Sequence, residues 1–92
     1  MSPASFFCYM LECADGTFYT GWTTDPERRA RQHNAGQGAR YTRSRRPVKL
    51  VYVEPQPDRA AAMKREKAIK AFSHAKKQGM VEQATGRPCL PR

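Results

Sequence analysis

The chain has 92 residues, with 17 Lys and Arg against 8 Asp and Glu, which leaves a net charge of +9 at neutral pH. This length suits one domain and excludes two. So large a positive excess indicates a polyanionic partner, most commonly nucleic acid. A membrane surface would favour an amphipathic helix with a large apolar face, which the basic helices of this chain do not show. The alternative is a charge excess that serves only solubility.

The cysteines and the N-terminus indicate the compartment. Cys8, Cys13 and Cys89 form no C-x-x-C pair, and Cys8 and Cys13 project to opposite faces of one predicted strand. The apolar run FFCYML is too short for a signal sequence or a membrane span. We therefore expect reduced thiols in a soluble, cytoplasmic protein that does not bind membranes.

A β-hairpin is predicted first. The nearly continuous apolar run 6–13 (FFCYMLEC) is typical of a central strand covered on both faces, and 17–22 (TFYTGW) returns. A two-residue loop (Asp-Gly) puts Tyr9 and Tyr19 on opposite faces of the sheet. A three-residue loop (Ala-Asp-Gly), with Gly16 left-handed, pairs residues whose numbers sum to 30 and puts both rings on one face. The sequence allows both registers.

A helix follows the hairpin. Thr24, in a capping box with Glu27, is one candidate N-cap, and Asp25 before Pro26 is the other. Gly36 is the expected residue just beyond the helix C-terminus.

The composition of this helix is unusual. A surface helix normally buries a stripe of large apolar side chains, but this one offers only Ala30 and Ala35. Arg29 and His33 are four residues apart and therefore share a face.

The second half of the chain is predicted to hold a loop, a strand and two helices. Residues 36–47 lack periodicity and contain four arginines, which indicates an exposed basic loop, and 48–54 (VKLVYVE) form a third strand. Asp58 caps a helix over 59–72, and Ser73 caps a last helix to about residue 83. The apolar residues of the first of these helices gather on one side, and they are Ala61, Ala62, Ala68, Ile69 and Phe72.

These elements predict the fold class. We expect a small α/β (α+β) layer fold, in which a three-stranded antiparallel sheet with the first strand central carries flanking helices. Residues 1–83 form the domain, and 84–92 form a disordered tail.

Glu66 is the one acidic residue predicted in the middle of a helix. It lies close in projection to Ala62 and Ile69, at the edge of the apolar stripe. An ion pair with Lys70 would explain it without any function and contributes about 0.3–0.5 kcal/mol. Strand tyrosines likewise usually pack, and a histidine on a polar helix is usually solvated.

The combination is more specific than its parts. Tyr9, then Tyr19-Thr20-Gly21, Arg29, His33 and much later Glu66 occur in an order that resembles the GIY-YIG nuclease superfamily. FCY stands where that family has Gly-Ile-Tyr, and YTG stands where it has Tyr-Ile-Gly. The continuation HNAGQGARYTRSRRPVKLVY is similar to small stand-alone bacterial members.

The resemblance covers residues 6 to about 77, and two positions depart from the family pattern. Phe7 and Cys8 replace the first Gly-Ile. Many members place an asparagine some 12 to 15 residues after the metal-binding glutamate, whereas no asparagine follows Asn34 here, and Gln78 is the nearest candidate.

The resemblance implies a role for each matching residue. Tyr9 would activate the attacking water, and Tyr19 would hold water and phosphate beside it. Arg29 would bind the scissile phosphate, and His33 would orient or relay the proton. Glu66 would bind a single Mg²⁺ or Mn²⁺, and one carboxylate agrees with a one-metal site. The pKa of a free tyrosine is about 10, so we expect Arg29 and the metal to lower the pKa of Tyr9.

The function implied by the resemblance is a metal-dependent DNA endonuclease that leaves 5′-phosphate and 3′-hydroxyl ends, works as a monomer and serves DNA repair. A non-catalytic nucleic-acid-binding module with the same fold is the alternative, as is an enzyme whose partner protein chooses the substrate. A purely structural interaction domain is the third hypothesis. We expect binding with little base preference, through phosphate contacts of Arg40, Arg43, Arg45 and Arg46 and with one tyrosine available for stacking. The predicted nucleic-acid-binding residues are Arg28, Arg40, Tyr41, Arg43, Arg45 and Arg46.

Overall fold

The central layer of the protein is an antiparallel sheet with the strand order β2-β1-β3. The computed structural model describes residues 5–85, and the strands are β1 (Phe6–Glu12), β2 (Phe18–Thr23) and β3 (Lys49–Gln56). The predicted fold class, with the first strand central, is confirmed. An apolar run without alternation suits this position, because both faces of β1 are covered by other elements.

The hairpin adopts the three-residue loop. The Cys13 amide donates to the Thr17 carbonyl at 2.8 Å, and Gly16 sits at φ = 85° between them. Tyr9 therefore pairs with Gly21, and Leu11 pairs with Tyr19. Because Tyr9 and Leu11 lie on one face of β1, both tyrosine rings share that face. The left-handed conformation that this loop needs is one that glycine adopts without steric cost.

The described part of the chain has four helices: α1 (Pro26–Asn34), α2 (Arg40–Arg43), α3 (Arg59–Lys70) and α4 (His74–Thr85). Across residues 5–85, none of the helices has the length and apolar character needed to span a membrane.

The helix caps follow from side chains in the sequence. Asp25 caps α1 by accepting from the Arg28 amide at 3.2 Å, so Asp25 rather than Thr24 is the N-cap. Asp58 caps α3, as predicted. The Ser73 hydroxyl accepts from the amide at the start of α4, as predicted.

Each face of the sheet carries its own core. The core on the side of α3 and α4 contains Cys8, Met10, Ala62 and Ile69. The core on the side of α1 contains Tyr9, Leu11, Cys13 and Val48. Cys8 and Cys13 therefore lie on opposite faces, as expected, and neither forms a disulfide within residues 5–85.

Some boundaries differ from the prediction. The segment 36–47 is not entirely a loop, because α2 forms within it and buries Thr42 completely. Ala68 is exposed, since it lies about 100° around the helix from the buried Ile69. Helix α4 continues to Thr85 because no helix breaker occurs between Gly79 and Gly86. The rest of the predicted tail lies outside the described residues.

Hydrogen bonds from side chains hold the basic segment 36–47 in place. The Asn34 amide group donates to the Val48 carbonyl at 2.9 Å, and its oxygen accepts from the Val48 amide at 2.7 Å. Arg46 donates to the Asn34 carbonyl, and Arg45 donates to Asp15 in the hairpin loop. These bonds join the end of α1 to the start of β3 and hold α2 in contact with α1.

Replacing Asn34 with Ala should lower the free energy of unfolding by about 1–3 kcal/mol, because two partly buried backbone groups of Val48 would be left without partners. Chemical denaturation of Asn34→Ala measures the change. The matched control is Gln37→Ala, an exposed amide in the same segment. Equal stability of the two variants would contradict the anchoring role of Asn34.

Candidate active site

A groove of about 550 Å³ opens at the edge strand β2, between α1 and α3. Four of the five predicted catalytic residues line it: Tyr9, Tyr19, Arg29 and Glu66. We call it the main groove. The fifth residue, His33, lies behind Tyr9 and is fully buried. The fold therefore brings together residues from two strands and two helices that are up to 57 positions apart in the sequence.

Tyr9 reaches the main groove although its strand is central. Its side chain is 1% exposed, and it lies over Gly21 of the neighbouring edge strand. A Cβ atom at position 21 would be only 2.6 Å from the Tyr9 hydroxyl oxygen. Glycine is therefore required at this position by close approach, and its lack of a side chain leaves the space that the phenol occupies.

A buried chain of hydrogen bonds extends from Tyr9 away from the groove. The Tyr9 hydroxyl is 2.9 Å from Nε2 of His33, and Nδ1 of His33 is 2.7 Å from the Thr42 hydroxyl. Thr42 in turn donates to the Ala39 carbonyl at 3.0 Å. His33 and Thr42 are both completely buried.

These contacts favour one tautomer of the imidazole. The single hydroxyl proton of Thr42 is used at the Ala39 carbonyl, so Nδ1–H of His33 donates to Thr42 and Nε2 accepts from Tyr9. The opposite tautomer would let the Ala39 amide donate to Nδ1, but that contact is longer, at 3.3 Å. Nε2 of His33 is thus placed as a proton acceptor for the phenol.

Burial keeps both ring systems neutral. It lowers the pKa of His33 to about 4, and the charge of Arg29 acts in the same direction. Burial also raises the pKa of Tyr9 to about 12, although the nearby guanidinium of Arg29 opposes this change. Arg29 thus lowers the pKa of Tyr9, as expected, but desolvation outweighs this one adjacent cation in the protein alone, and the expected effect of a metal ion stays a prediction.

Arg29 and Glu66 face the main groove from opposite helices. Arg29 is oriented by a 3.0 Å hydrogen bond to the side chain of Gln32, one turn further along α1. The Glu66 side chain is 23% exposed, and one of its oxygens is 3.7 Å from the Lys70 ammonium. Glu66 therefore both forms the ion pair with Lys70 and faces the groove that Tyr9 lines, because it lies at the edge of the apolar stripe of α3.

The acidic residues of the groove limit the metal chemistry. Among residues 5–85, no three His, Cys, Asp or Glu side chains are grouped closely enough to enclose a metal ion. Mg²⁺ is commonly held by one or two carboxylates together with water and substrate phosphate oxygens. Glu66 fits that pattern, because it offers a partly exposed carboxylate in a groove wide enough for a phosphate.

The predicted nucleic-acid-binding residues divide into two groups. Arg28 lines the main groove, and Arg40 and Arg43 are exposed, with no hydrogen bond or ion pair to their guanidinium groups within residues 5–85. Arg45 and Arg46 are instead engaged within the protein, since Arg45 pairs with Asp15 and Arg46 donates to the carbonyls of Arg43 and Asn34.

Tyr41 extends the row of aromatic rings at the site. Its ring stacks on Tyr19, with centroids 6.0 Å apart, and the guanidinium of Arg45 lies 3.9 Å from its ring centre. Tyr19 in turn lies 5.1 Å from His33. Tyr41 is thereby fixed beside the predicted catalytic residues while it stays 37% exposed.

The sequence analysis missed two residues of the main groove, Trp22 and Arg59. The Arg59 guanidinium lies 5.8 Å from the centre of the Trp22 ring. The position of Trp22 directly after the YTG triplet is the sequence signal that could have identified it. No local signal points to Thr42, because its role depends on contact with His33 nine positions away. Gln78 lies on α4 and donates to Glu82 rather than lining the groove.

Comparisons with known proteins match this arrangement. The family described as "GIY-YIG catalytic domain" matches residues 5–78. A UPF0213 protein of Haloquadratum walsbyi is 52% identical over 79 residues, covering 86% of this chain and 89% of the relative. The solution structure of a UPF0213 protein from Bacillus halodurans is 43% identical, with a TM-score of 0.56, and covers 88% of this chain and 86% of its own. A solution structure from E. faecalis is 34% identical, with a TM-score of 0.57, and covers 100% and 96%.

The buried imidazole makes stability depend on pH. His33 stays neutral in the folded protein down to about pH 4, whereas an unfolded histidine binds a proton below about pH 6.5. The unfolded state therefore binds more protons between these values, and the free energy of unfolding should fall by about 2 kcal/mol from pH 7.5 to pH 5.

Denaturant titrations of His74→Gln, in which His33 is the remaining histidine, measure this decrease. The double variant with His33→Gln should show little pH dependence in the same range. A pH dependence equal in both variants would contradict the burial of a neutral His33.

Proposed function

Since the chain belongs to the GIY-YIG family of catalytic domains, we propose that it is a metal-dependent endonuclease that hydrolyses DNA phosphodiester bonds with a tyrosine-activated water. Family membership supports a nuclease-type function. The observation that carries the proposal is the position of the Tyr9 hydroxyl, which lies between the neutral His33 and a groove that Arg29 and Glu66 line.

The chemistry of phosphodiester hydrolysis assigns the residues. The reaction needs an activated water, compensation of charge on the phosphate and help for the leaving oxygen. In its phenolate form, Tyr9 holds the attacking water and accepts its proton, and the unprotonated Nε2 of His33 orients the tyrosine side chain. Arg29 binds the scissile phosphate, and Tyr19 fixes the water and phosphate from the side of β2.

Glu66 would hold the single cation, Mg²⁺ or Mn²⁺, together with phosphate oxygens of the substrate. When bound, the cation supplies positive charge that favours the phenolate form of Tyr9 and compensates the leaving oxygen. This charge is needed, because in the protein alone burial holds the pKa of Tyr9 at about 12. Release of Glu66 from Lys70 would free both oxygens of the carboxylate.

The same high pKa favours the second candidate function, a nucleic-acid-binding module that does not cleave. A phenol with a pKa of about 12 is almost entirely protonated near neutral pH. If Glu66 recruited no cation, Arg29 would still bind a phosphate while Tyr9 remained inert. Cleavage and binding must therefore be measured together.

Glu66→Gln separates the two functions. The variant keeps the size of the side chain and the helix but removes the only charge proposed to hold the cation. Cleavage of branched, nicked and linear DNA with Mg²⁺ or Mn²⁺ should fall by a factor of about 100 or more. DNA affinity in chelator should stay the same or rise, because a negative charge has left the phosphate site.

Glu27→Gln is the matched control, since it makes the same charge change at an exposed position of α1, and it should cleave like the wild type. Undiminished cleavage by Glu66→Gln would remove Glu66 from the mechanism. Wild-type protein that binds every one of these DNAs but cuts none would establish the binding module instead.

The exposed arginines of α2 should bind backbone phosphates. Removing one arginine that neutralises a phosphate should make the slope of log affinity against log salt concentration shallower by about 0.7–0.9. Arg40→Ala combined with Arg43→Ala should therefore change the slope by about twice that amount without changing sequence preference. Lys64→Ala, an exposed position on α3, should leave the slope almost unchanged. An unchanged slope in the arginine variant would exclude α2 from the interface.

A further inference from the structure

Arg29, the residue proposed to bind the scissile phosphate, is held by a neutral partner. Its Nη1 donates to the side-chain oxygen of Gln32 at 3.0 Å, and both side chains line the main groove. We propose that Gln32 is a second residue of the phosphate site, which orients Arg29 through its carbonyl oxygen and donates from its amide group to the same phosphate. The inference rests on the proposed function, because it adds a residue to the same site.

The geometry of α1 places Gln32 at the groove. Arg29 and Gln32 are three residues apart and are therefore neighbours on the helix surface. His33, the next residue, projects about 100° further around the helix, and it is fully buried against Tyr9. One turn of α1 thus supplies a buried imidazole to the phenol and a partly exposed pair of polar side chains to the groove.

Two arginines with structural roles have charged partners instead. Arg45 pairs with Asp15 at 3.0 Å, and Arg65 donates to both oxygens of Glu54, at 2.7 and 3.2 Å. A carboxylate in such a pair offsets the charge of the guanidinium at close range. Arg29 forms no ion pair within the described part of the chain. An amide oxygen therefore orients Arg29 and leaves its full charge for a phosphate.

The amide nitrogen of Gln32 is free for a ligand. It carries two N–H donors, and neither has an acceptor among residues 5–85. Because a guanidinium only donates, the oxygen of Gln32 faces Arg29 and the amide nitrogen on the same carbon faces away from it. Phosphate oxygens accept from glutamine amides as well as from arginine. A phosphate that meets Arg29 in the groove can therefore also accept from Gln32.

Two substitutions of Gln32 separate the roles of its two ends, and both should fold because the position is partly exposed. Gln32→Met keeps the length of the side chain but removes the acceptor and the donors. Its affinity for single-stranded DNA in chelator should fall by a factor of about 3–10. Gln32→Glu keeps the acceptor for Arg29, but it removes the donors and pairs the guanidinium with a carboxylate, so the affinity should fall by a factor of about 10–100. Wild-type affinity of Gln32→Glu would overturn the proposal.

The salt dependence of binding gives a readout that a purely structural role of Gln32 would not change. In Gln32→Glu, Arg29 no longer neutralises a phosphate, so the slope of log affinity against log salt concentration should become shallower by about 0.7–0.9. Gln83→Glu makes the same change at an exposed position of α4 outside the main groove, and it should leave the slope almost unchanged. Equal slopes in the two variants would contradict the proposal.

A double-mutant cycle tests whether Gln32 and Arg29 bind the same phosphate. The variant that combines Arg29→Gln with Gln32→Met should lose affinity by less than the product of the two separate factors, with a difference of about twofold or more. A loss equal to the product would show that the two side chains act independently, and it would exclude a shared phosphate.

Cleavage assays distinguish this inference from the proposed function. If the wild type cuts DNA, Gln32→Glu should lower kcat/KM by at least the factor by which it lowers affinity, because Arg29 also compensates charge in the transition state. Undiminished cleavage by this variant would contradict the inference and leave the endonuclease function in place. If the wild type binds DNA but does not cut it, the endonuclease function fails, and the affinities in chelator still decide the role of Gln32.

Discussion

The buried hydrogen bond between Tyr9 and His33 is the constraint on which the arrangement of the site depends. Helix α1 has no stripe of large apolar side chains, and its one fully buried residue is His33. The helix is therefore fixed to the sheet mainly by polar contacts, the buried one of 2.9 Å and the two hydrogen bonds of Asn34 to Val48, together with limited packing of Ala30. A buried polar contact of this kind is stable only when every member has a partner, which is the role of Thr42 beyond the imidazole.

The edge of the sheet determines how this buried pair meets solvent. The left-handed Gly16 sets the hairpin register, and the register places Gly21 beside Tyr9. Because Gly21 has no side chain, a phenol from the central strand reaches a groove at the edge strand. Two glycines with different functions, one for a backbone conformation and one for close approach, thus make a central tyrosine available to a substrate.

The positive charge of the chain serves two physical purposes. Arg45 and Arg46 hold the segment between α1 and β3 through hydrogen bonds to Asp15 and to backbone carbonyls. Arg28 and Arg59 instead line the main groove with exposed side chains. A net charge of +9 therefore overstates the number of cations available for binding.

The sequence by itself determined the caps at Asp58 and Ser73, because caps depend on local hydrogen bonds. The unbroken apolar run of the first strand likewise indicated its central position. The candidate residues Tyr9, Tyr19, Arg29 and Glu66 followed from the resemblance of their order to the GIY-YIG family, whereas their meeting in one groove depends on the fold.

Only the tertiary structure decided the hairpin register, the burial of Thr42 and the protonation of the site. Both loop lengths are compatible with the turn residues, and the three-residue loop is the one in which the tyrosines share a face with α1. Helix α2 lacks periodicity because its single buried side chain contacts His33 rather than an apolar core. The pKa of Tyr9 depends on how completely the fold removes water from the phenol, and desolvation is a property of packing that no residue order contains.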